Sequence, residues 1–308
     1  MEYFGKEGNP LDFCTIASGS SGNSLFMGTE HTKILIDAGV SGKRILEGLE
    51  KLSLTGDQID ALFITHEHID HVKGAGVFSR KFDVPIYATM ETWDAMEGSL
   101  GKIAPRNKRF VYEGEPCVIN DLCVKPFAIP HDAAAPVGYS VFAGEKKITV
   151  ATDIGHVTDT IRENITDSDI LLLESNHDEE MVKKGRYPWN LKQRILGERG
   201  HLSNRTAGAL LAEIMSGKMK HIFLGHLSEE NNSPYLAYET VAEILEQNRI
   251  KLGGALKMDM AARNSNGAKV TICGGRSHAD YHCLRGQAER KILAGRHRGI
   301  QQAFEPLS

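Results

Sequence analysis

The stretch Thr65-His66-Glu67-His68-Ile69-Asp70-His71 decides how this chain is interpreted. It directly follows Ile59-Asp60-Ala61-Leu62-Phe63-Ile64, an apolar run of the kind that forms a buried strand. Side chains alternate along an extended chain, so His66 and His68 are expected on the same side where that strand ends. Three imidazoles and a carboxylate this close together suit Zn²⁺ and are acceptable to Mn²⁺. A polar turn that is rich in histidine by chance would explain neither this spacing nor the polar residues downstream.

Polar side chains follow three further apolar runs, in each case where a predicted strand ends. These side chains are His131, Asp153 and His226. A fold that collects strand ends at one rim would bring them to the histidine cluster. Two adjacent metal ions need seven ligands of this kind. These are three histidines for one ion, an aspartate with two histidines for the other, and one bridging carboxylate. The candidate ligands are His66, His68, Asp70, His71, His131, Asp153 and His226.

The composition excludes several classes of protein. The 308 residues are 41% apolar and 25% charged, which is typical of a soluble globular protein. A net charge of −4 means that any binding of nucleic acid must depend on a local basic patch. Five scattered cysteines without a Cys-x-x-Cys pair argue against a disulfide scaffold and fit a reducing cytoplasm. The first ten residues include Glu2, Lys6 and Glu7 where a signal peptide would be apolar, and no apolar run approaches a membrane span of roughly 20 residues. We therefore expect a soluble cytoplasmic protein that does not bind membranes.

The order of predicted elements favours one α/β domain over residues 1–273, with mixed sheets, helices outside and ligands at strand ends. Strands outnumber what a pure alternation of strand and helix would supply. Ser41 is placed to cap a helix that carries Ile45 and Leu49 on one face. Residues 274–308 lose the apolar periodicity and are basic, so we predict a loosely attached extension, with an arm that binds nucleic acid as the alternative.

Six segments together carry a family resemblance. They are Gly19-Ser20-Ser21-Gly22-Asn23-Ser24, Thr65-His66-Glu67-His68-Ile69-Asp70-His71, Glu174-Ser175-Asn176-His177-Asp178, Tyr187-Pro188-Trp189-Asn190-Leu191-Lys192-Gln193-Arg194-Ile195, Gly200-His201-Leu202-Ser203-Asn204 and Gly225-His226-Leu227-Ser228-Glu229-Glu230-Asn231-Asn232. From about residue 13 to residue 272 the chain resembles the metallo-β-lactamase-fold hydrolases, and most closely their YycJ/WalJ-like bacterial branch. The resemblance implies a four-layer αβ/βα sandwich of two mixed sheets with helices outside and the metal site on one rim.

The resemblance also implies how the ligands are shared between two divalent ions, Zn²⁺ or Mn²⁺. His66, His68 and His131 would hold one ion, Asp70, His71 and His226 the other, and Asp153 would bridge them. His201 is an alternative for the seventh ligand. We favour His226 because it ends a buried strand, as the other ligands do, whereas His201 stands before a helix.

A two-metal site of this kind lowers the pKa of a shared water so that hydroxide becomes the nucleophile, which Asp70 can orient. An acid must then protonate the leaving group. Gly200-His201-Leu202-Ser203 is similar to a block in the ribonuclease Z type of enzyme, whose histidine works with a glutamate as that acid. Glu174 is the carboxylate available to His201. The alternative is that Glu174 and His201 form a structural hydrogen bond beside the site.

The same machinery hydrolyses phosphodiesters, thioesters, lactones and β-lactams, so the substrate must be argued from other residues. Residues 181–205 hold seven basic side chains against the single acid Glu198, with Tyr187 and Trp189 among them. Such side chains can bind phosphates and stack on bases, although a solvated charged face is the common alternative. The predicted substrate contacts, which include the glycine- and serine-rich loop, are Ser20, Ser21, Asn23, Lys184, Arg186, Tyr187, Lys192 and Arg194.

The resemblance implies a DNA exonuclease that acts from 5′ ends, with DNA favoured over RNA. The interval between Asp153 and His226 is too short for the large β-CASP insertion of RNA-processing and DNA-repair nucleases. Two other classes stay open: a small-molecule hydrolase such as a lactonase or thioesterase, and a regulatory or binding protein that has lost its metals. The oligomeric state is also open.

Overall fold

The computed structural model describes residues 9–273, so the predicted extension 274–308 lies outside the described residues and the domain boundary before it stays a prediction. The strands of the described part are β1 (Leu11–Ala17), β2 (Ser24–Gly28), β3 (Lys33–Ile36), β4 (Ala61–Phe63), β5 (Ile86–Ala88), β6 (Lys108–Phe110), β7 (Cys117–Ile119), β8 (Leu122–Ala128), β9 (Val137–Ala143), β10 (Lys146–Ala151), β11 (Ile170–Glu174), β12 (His221–Gly225), β13 (Lys257–Met260) and β14 (Val270–Ile272). The α-helices are α1 (Gly42–Glu50), α2 (Ile69–Val72), α3 (Ala75–Phe82), α4 (Met90–Leu100), α5 (Asp159–Ile165), α6 (Glu179–Lys184), α7 (Trp189–Leu196), α8 (Asn204–Ile214) and α9 (Pro234–Gln247). None of these helices is long and apolar enough to cross a membrane.

The strands form two seven-stranded sheets, in the spatial orders β14-β1-β2-β3-β4-β5-β6 and β13-β12-β11-β10-β9-β8-β7. Both sheets are mixed. In the first, β3, β4, β5 and β6 run parallel while β14, β1, β2 and β3 are antiparallel. In the second, β10 to β13 run parallel while β7 to β10 are antiparallel. Parallel strands point their carboxyl ends at one edge, which is where polar side chains can converge.

Three apolar clusters divide the described residues into four layers. The central cluster joins the two sheets, with Phe13 packed on Phe223 at 5.1 Å and Phe63 on Tyr139 at 5.4 Å between ring centroids. A second cluster joins the first sheet to α1, α3 and α4, and a third joins the second sheet to α5, α8 and α9. Each large apolar side chain that is fully buried contributes about 1.5–3 kcal/mol to the free energy of unfolding. The predicted αβ/βα sandwich with two mixed sheets is confirmed.

Most predicted elements are present, and serine marks several helix starts. The Ser41 side chain accepts a hydrogen bond from the Arg44 amide and caps α1, as predicted, and Ile45 and Leu49 are buried. Strand β4 ends at Phe63, within the predicted run, so His66 and His68 lie just beyond the strand end, in the loop between β4 and α2.

Helix α7 was not expected from the sequence. None of its residues is buried, and its eight residues form only a short apolar face that includes Leu191 and Ile195.

Gly39 allows three loops to meet at the edge of the first sheet. Its amide donates to the Asn23 carbonyl at 2.7 Å, and the Asn23 amide donates to the Asp70 carbonyl at 2.8 Å. A Cβ on residue 39 would lie 1.6 Å from the Asp70 carbonyl oxygen, which is backbone and cannot rotate away. The absence of a side chain at Gly39 therefore allows the backbone of α2, which carries Asp70, to lie against this segment.

We expect Gly39→Ala to lower the free energy of unfolding by about 3 kcal/mol or more, because backbone must move to admit the methyl group. Urea unfolding followed by circular dichroism measures this difference. Gly217→Ala is the matched control, since a Cβ there meets nothing within 4 Å. Equal unfolding midpoints for the two variants would contradict the steric explanation.

Candidate metal centre

The ends of several strands bring all seven predicted ligands together. His66, His68 and His131 form one group in which the donor atoms lie within 4.8 Å of one another, and Asp70, His71 and His226 form a second. Asp153 belongs to two further groups, one with His66 and His71 and one with Glu174, His201 and His226. The loop after β4 supplies His66 and His68, and helix α2 supplies Asp70 and His71. The loops after β8, β10 and β12 supply the other three donors, His131, Asp153 and His226.

In the first donor group, His66 Nε2 and His68 Nδ1 face each other at 3.0 Å. The other ring nitrogen of His66, Nδ1, lies 3.1 Å from Thr65 Oγ1. His131 donates its Nδ1 hydrogen to the Gly200 carbonyl at 3.0 Å, so Nε2 is left as the donor atom for a cation. Burial lowers the pKa of His66 well below its usual value and also lowers the pKa of His131, which favours the neutral imidazoles that bind metal ions.

The second donor group is built around one carboxylate oxygen. Asp70 Oδ2 lies 3.5 Å from Nε2 of His71 and 3.5 Å from Nε2 of His226. The far nitrogens are held by carboxylates, since His71 Nδ1 donates to Asp37 at 2.8 Å and His226 Nδ1 donates to Glu174 at 2.8 Å. Both rings therefore turn Nε2 toward Asp70.

Asp153 lies between the two groups. Its Oδ2 is 3.4 Å from His71 Nε2, and its Oδ1 is 3.7 Å from His131 Nε2. Asp153 Oδ2 and His226 Nε2 are both buried without a hydrogen-bond partner among the described residues. A buried carboxylate oxygen without a partner is costly, and a divalent cation would satisfy it. These residues fit a metal centre.

The electrostatics of the site keep its carboxylates ionised. Burial alone would raise the pKa of Asp70 and of Asp153, but the surrounding histidines lower both well below the usual value. Burial alone would lower the pKa of His226, but the neighbouring carboxylates of Asp153, Asp70 and Glu174 raise it to about 10. Ionised carboxylates are the form that binds divalent cations.

Asp37 is a functional residue that the sequence reasoning missed. It is 1% exposed, accepts hydrogen bonds from the Thr65 amide at 2.8 Å and from His71 Nδ1 at 2.8 Å, and so holds the histidine loop from beneath. The sequence did contain a sign of this role, because Asp37 directly follows the apolar strand β3, just as the predicted ligands follow their apolar runs.

Three residues of the site have left-handed backbone conformations. Asp37, Asp153 and His226 have φ angles of 62°, 61° and 54°. Residues other than glycine adopt this region rarely, at about 1–3 kcal/mol each, and such strain is concentrated at functional sites. The turn at each strand end aims the side chain into the centre.

Glu174 and His201 form the predicted pair. Oε1 of Glu174 accepts from His201 Nδ1 at 2.9 Å, as it does from His226. Its Oε2 accepts from the amides of Ile154 at 2.7 Å and Leu202 at 3.0 Å. Burial alone would raise the pKa of Glu174, but the two histidines lower it to about 2. His201 is held by Nδ1, which leaves Nε2 as the nitrogen that can act on a substrate.

A cleft of about 290 Å³ lies over the donor groups, and α7 forms one wall of it. Three of the predicted substrate contacts line this cleft, namely Ser20, Tyr187 and Arg194. Arg194 also contacts Asp132, with 2.9 Å between Nε and Oδ2. Arg199 lines the cleft as well, and the sequence reasoning did not single it out as a contact.

The other predicted contacts do not line the cleft. Ser21, Lys184 and Arg186 are exposed elsewhere, and Lys192 donates to the Lys183 carbonyl at 2.8 Å. Asn23 is 4% exposed; its amide nitrogen lies 3.1 Å from His71 Nε2, and its amide oxygen accepts from the Gly19 amide at 3.0 Å. Asn23 therefore supports the loop and the His71 ring from within.

Comparison with known proteins agrees with this geometry. Residues 32–226 match the family model described as the beta-lactamase superfamily domain. The chain is 40% identical over 249 residues to the exodeoxyribonuclease YycJ of Bacillus anthracis, covering 80% of this chain and 94% of that protein. It is also 40% identical over 248 residues to the exodeoxyribonuclease WalJ of Streptococcus pneumoniae, covering 80% of this chain and 92% of that protein.

Solved structures extend the comparison to the fold. The metallo-β-lactamase fold protein YhfI of Bacillus subtilis superposes with a TM-score of 0.63 at 13% identity, over 86% of this chain and 100% of that one. The chain therefore belongs to the metallo-β-lactamase superfamily of metal-dependent hydrolases, and within it to the YycJ/WalJ-like branch.

Proposed function

We propose that this protein is a DNA exonuclease that hydrolyses phosphodiester bonds from 5′ ends and uses two divalent ions, Zn²⁺ or Mn²⁺. The observation that carries the proposal is one cleft that combines two bridged donor groups with the cationic Arg194 and Arg199 and the aromatic Tyr187. Guanidinium groups bind phosphates, and aromatic rings stack on bases. The names of the relatives in Bacillus anthracis and Streptococcus pneumoniae support a DNA substrate.

The donor chemistry supports two ions of this kind. Imidazole nitrogens with carboxylate oxygens suit Zn²⁺ and Mn²⁺, and each donor group supplies three side chains. His66, His68 and His131 would hold one ion, Asp70, His71 and His226 the other, and Asp153 would bridge them. Bound there, the ions would lower the pKa of a water and polarise the phosphate oxygens.

Asp70 orients the attacking water in this proposal. Its Oδ2 faces His71 and His226 at 3.5 Å each, so Oδ1 is left to accept a hydrogen bond from that water. The side chain is 22% exposed and lines the cleft, which gives substrate and water access to it.

His201 protonates the leaving oxygen. The Glu174 carboxylate holds Nδ1 of His201 and fixes the ring, so that Nε2 can carry a proton to the departing O3′ of the DNA strand. Because Glu174 also holds His226, the acid and the metal ligand keep a constant separation.

We place the protein in the cytoplasm. The described cysteines Cys14, Cys117, Cys123 and Cys273 are free, as expected in a reducing compartment. Burial raises the pKa of Cys14, Cys117 and Cys123 to about 11, which keeps these thiols unreactive.

The function is tested by incubating protein loaded with Zn²⁺ or Mn²⁺ with linear DNA that carries a labelled 5′-phosphate. We expect release of labelled mononucleotides, and Asp70→Asn should lower the rate by about 10³-fold or more because a ligand and the water contact are both weakened. Elemental analysis should show less bound metal in Asp70→Asn.

Two results would overturn the nuclease proposal. Turnover of a lactone or thioester with no release of nucleotides would indicate a small-molecule hydrolase. A wild-type protein that binds no metal and hydrolyses nothing would indicate a regulatory or binding protein.

His201→Ala should lower the rate of DNA hydrolysis by about 10² to 10⁴-fold, which is the usual contribution of general acid catalysis. Bis(p-nitrophenyl) phosphate should be much less affected, since p-nitrophenolate leaves without protonation. Metal content should be unchanged. His31→Ala, at an exposed position between β2 and β3, is the matched control. Equal losses on both substrates would argue that His201 is only structural or is a ligand.

Arg194→Ala should weaken DNA binding because one phosphate contact is lost. The slope of the logarithm of the binding constant against the logarithm of the salt concentration should become shallower by about one. Fluorescence anisotropy over a series of salt concentrations measures both. Lys251→Ala, an exposed position just after α9, should bind as the wild type does. If Asp132→Ala reproduced the whole effect, Arg194 would act through its ion pair rather than through DNA.

A further inference from the structure

A second cavity meets the metal centre at His201. It has a volume of about 560 Å³, compared with about 290 Å³ for the cleft over the donor groups, and His201 lines both. Its walls come from the loop after Asp153 and from α5, α6, α7 and α8. Its volume lies within the range of about 300–1,000 Å³ that is usual for small-molecule sites. Neither the metal ligands nor the cationic residues of the cleft account for it.

The walls of this cavity combine apolar surface with charges that are already paired. Val157, Leu196 and Leu210 contribute apolar surface. Arg162 Nε contacts Glu213 at 2.8 Å, and Lys183 Nζ lies 3.8 Å from Glu179. These two cations and two carboxylates balance, so the lining has no excess charge that would favour a bare anion or a further metal ion. A flat group with a few polar edges, such as a nucleoside, matches this lining better.

His177 adds an unsatisfied polar group to the cavity. It lines the cavity, is 1% exposed, and its Nδ1 is buried without a hydrogen-bond partner among the described residues. Burial lowers the pKa of His177 to about 4, so the imidazole is neutral and offers one donor and one acceptor. A buried polar group without a partner costs about 1–3 kcal/mol, which a hydrogen bond from a ligand would recover.

Hydrolysis of DNA from its 5′ end determines which part of the substrate must lie next to His201. The oxygen of one water forms a bond to phosphorus, and the bond between phosphorus and O3′ breaks. The electron pair stays on O3′, which takes a proton from His201. The new 5′-phosphate remains on the shortened strand. The departing group is thus the 5′-terminal nucleotide, attached through the atom that must contact His201 Nε2.

We propose that the cavity beside His201 binds this 5′-terminal nucleotide and holds it as the departing group. The inference rests on the proposed function and adds a binding site to it. The base packs on the apolar wall formed by Val157, Leu196 and Leu210, and a polar edge of the nucleotide satisfies His177.

The test fills the cavity. Ala209 is an exposed residue of α8 that lines it, so Ala209→Trp adds bulk there without disturbing the core. Ala95→Trp, at an exposed position of α4, is the matched control. Calorimetric titration of the metal-loaded proteins with deoxyadenosine 5′-monophosphate should give affinity at least about tenfold weaker for Ala209→Trp than for wild type and control. In Ala209→Trp, the rate of DNA hydrolysis divided by the rate of bis(p-nitrophenyl) phosphate hydrolysis should fall by a similar factor.

The outcomes separate this inference from the proposed function. If Ala209→Trp binds the mononucleotide and releases nucleotides from DNA as the wild type does, the pocket is wrong and the exonuclease proposal stands. If the wild type releases no nucleotides from DNA, the proposed function fails. Leu196→Trp, on α7 and 42% exposed, replaces Ala209→Trp should that variant melt at a lower temperature than wild type.

Discussion

The site depends on the hydrogen bonds that the buried Glu174 carboxylate accepts. This carboxylate is fully buried at the end of β11, where an ionised group is stable only if its oxygens are satisfied. Two imidazoles and two backbone amides satisfy them. The same four bonds tie the loops after β10 and β12, and the start of the segment leading into α8, to one strand of the second sheet. The proposed metal ligand His226 and the proposed acid His201 are thereby positioned by a single buried charge.

Asp37 has the corresponding role for the first sheet. It follows β3, binds the Thr65 amide and His71 Nδ1, and makes the loop after β4 rigid. Both carboxylates act on the ring nitrogen that faces away from the donor groups, so each determines which nitrogen faces a metal ion. The left-handed turns at Asp37, Asp153 and His226 are the strained part of this arrangement. Packing between the two sheets stabilises it, since strained turns persist only where the surrounding structure fixes them.

The donor residues could be predicted from the sequence because each follows an apolar run, and parallel strands end at one edge. Asp37 obeys the same rule but carries no histidine beside it, and its role depends on a hydrogen bond to another strand. The contacts of the basic segment could not be assigned in the same way. Tyr187 and Arg194 line the cleft, whereas Lys184 does not and Lys192 bonds to the Lys183 carbonyl. The orientation of α6 and α7 decides this, and the sequence could not give the orientation of α7 because none of its residues is buried in the core.

The metal centre and the substrate contacts therefore depend on different parts of the chain. Strand ends hold the donors, and changing them disturbs buried charges and strained turns. Helix α7 contributes Leu191, Arg194 and Ile195 to the cleft and Leu196 to the neighbouring cavity without burying any residue. Substitutions on this helix can change what reaches His201 with little effect on the core, because the helix adds little to the apolar clusters. One set of donors can in this way serve hydrolases with different substrates, and the surfaces around His201 determine which substrate is cleaved.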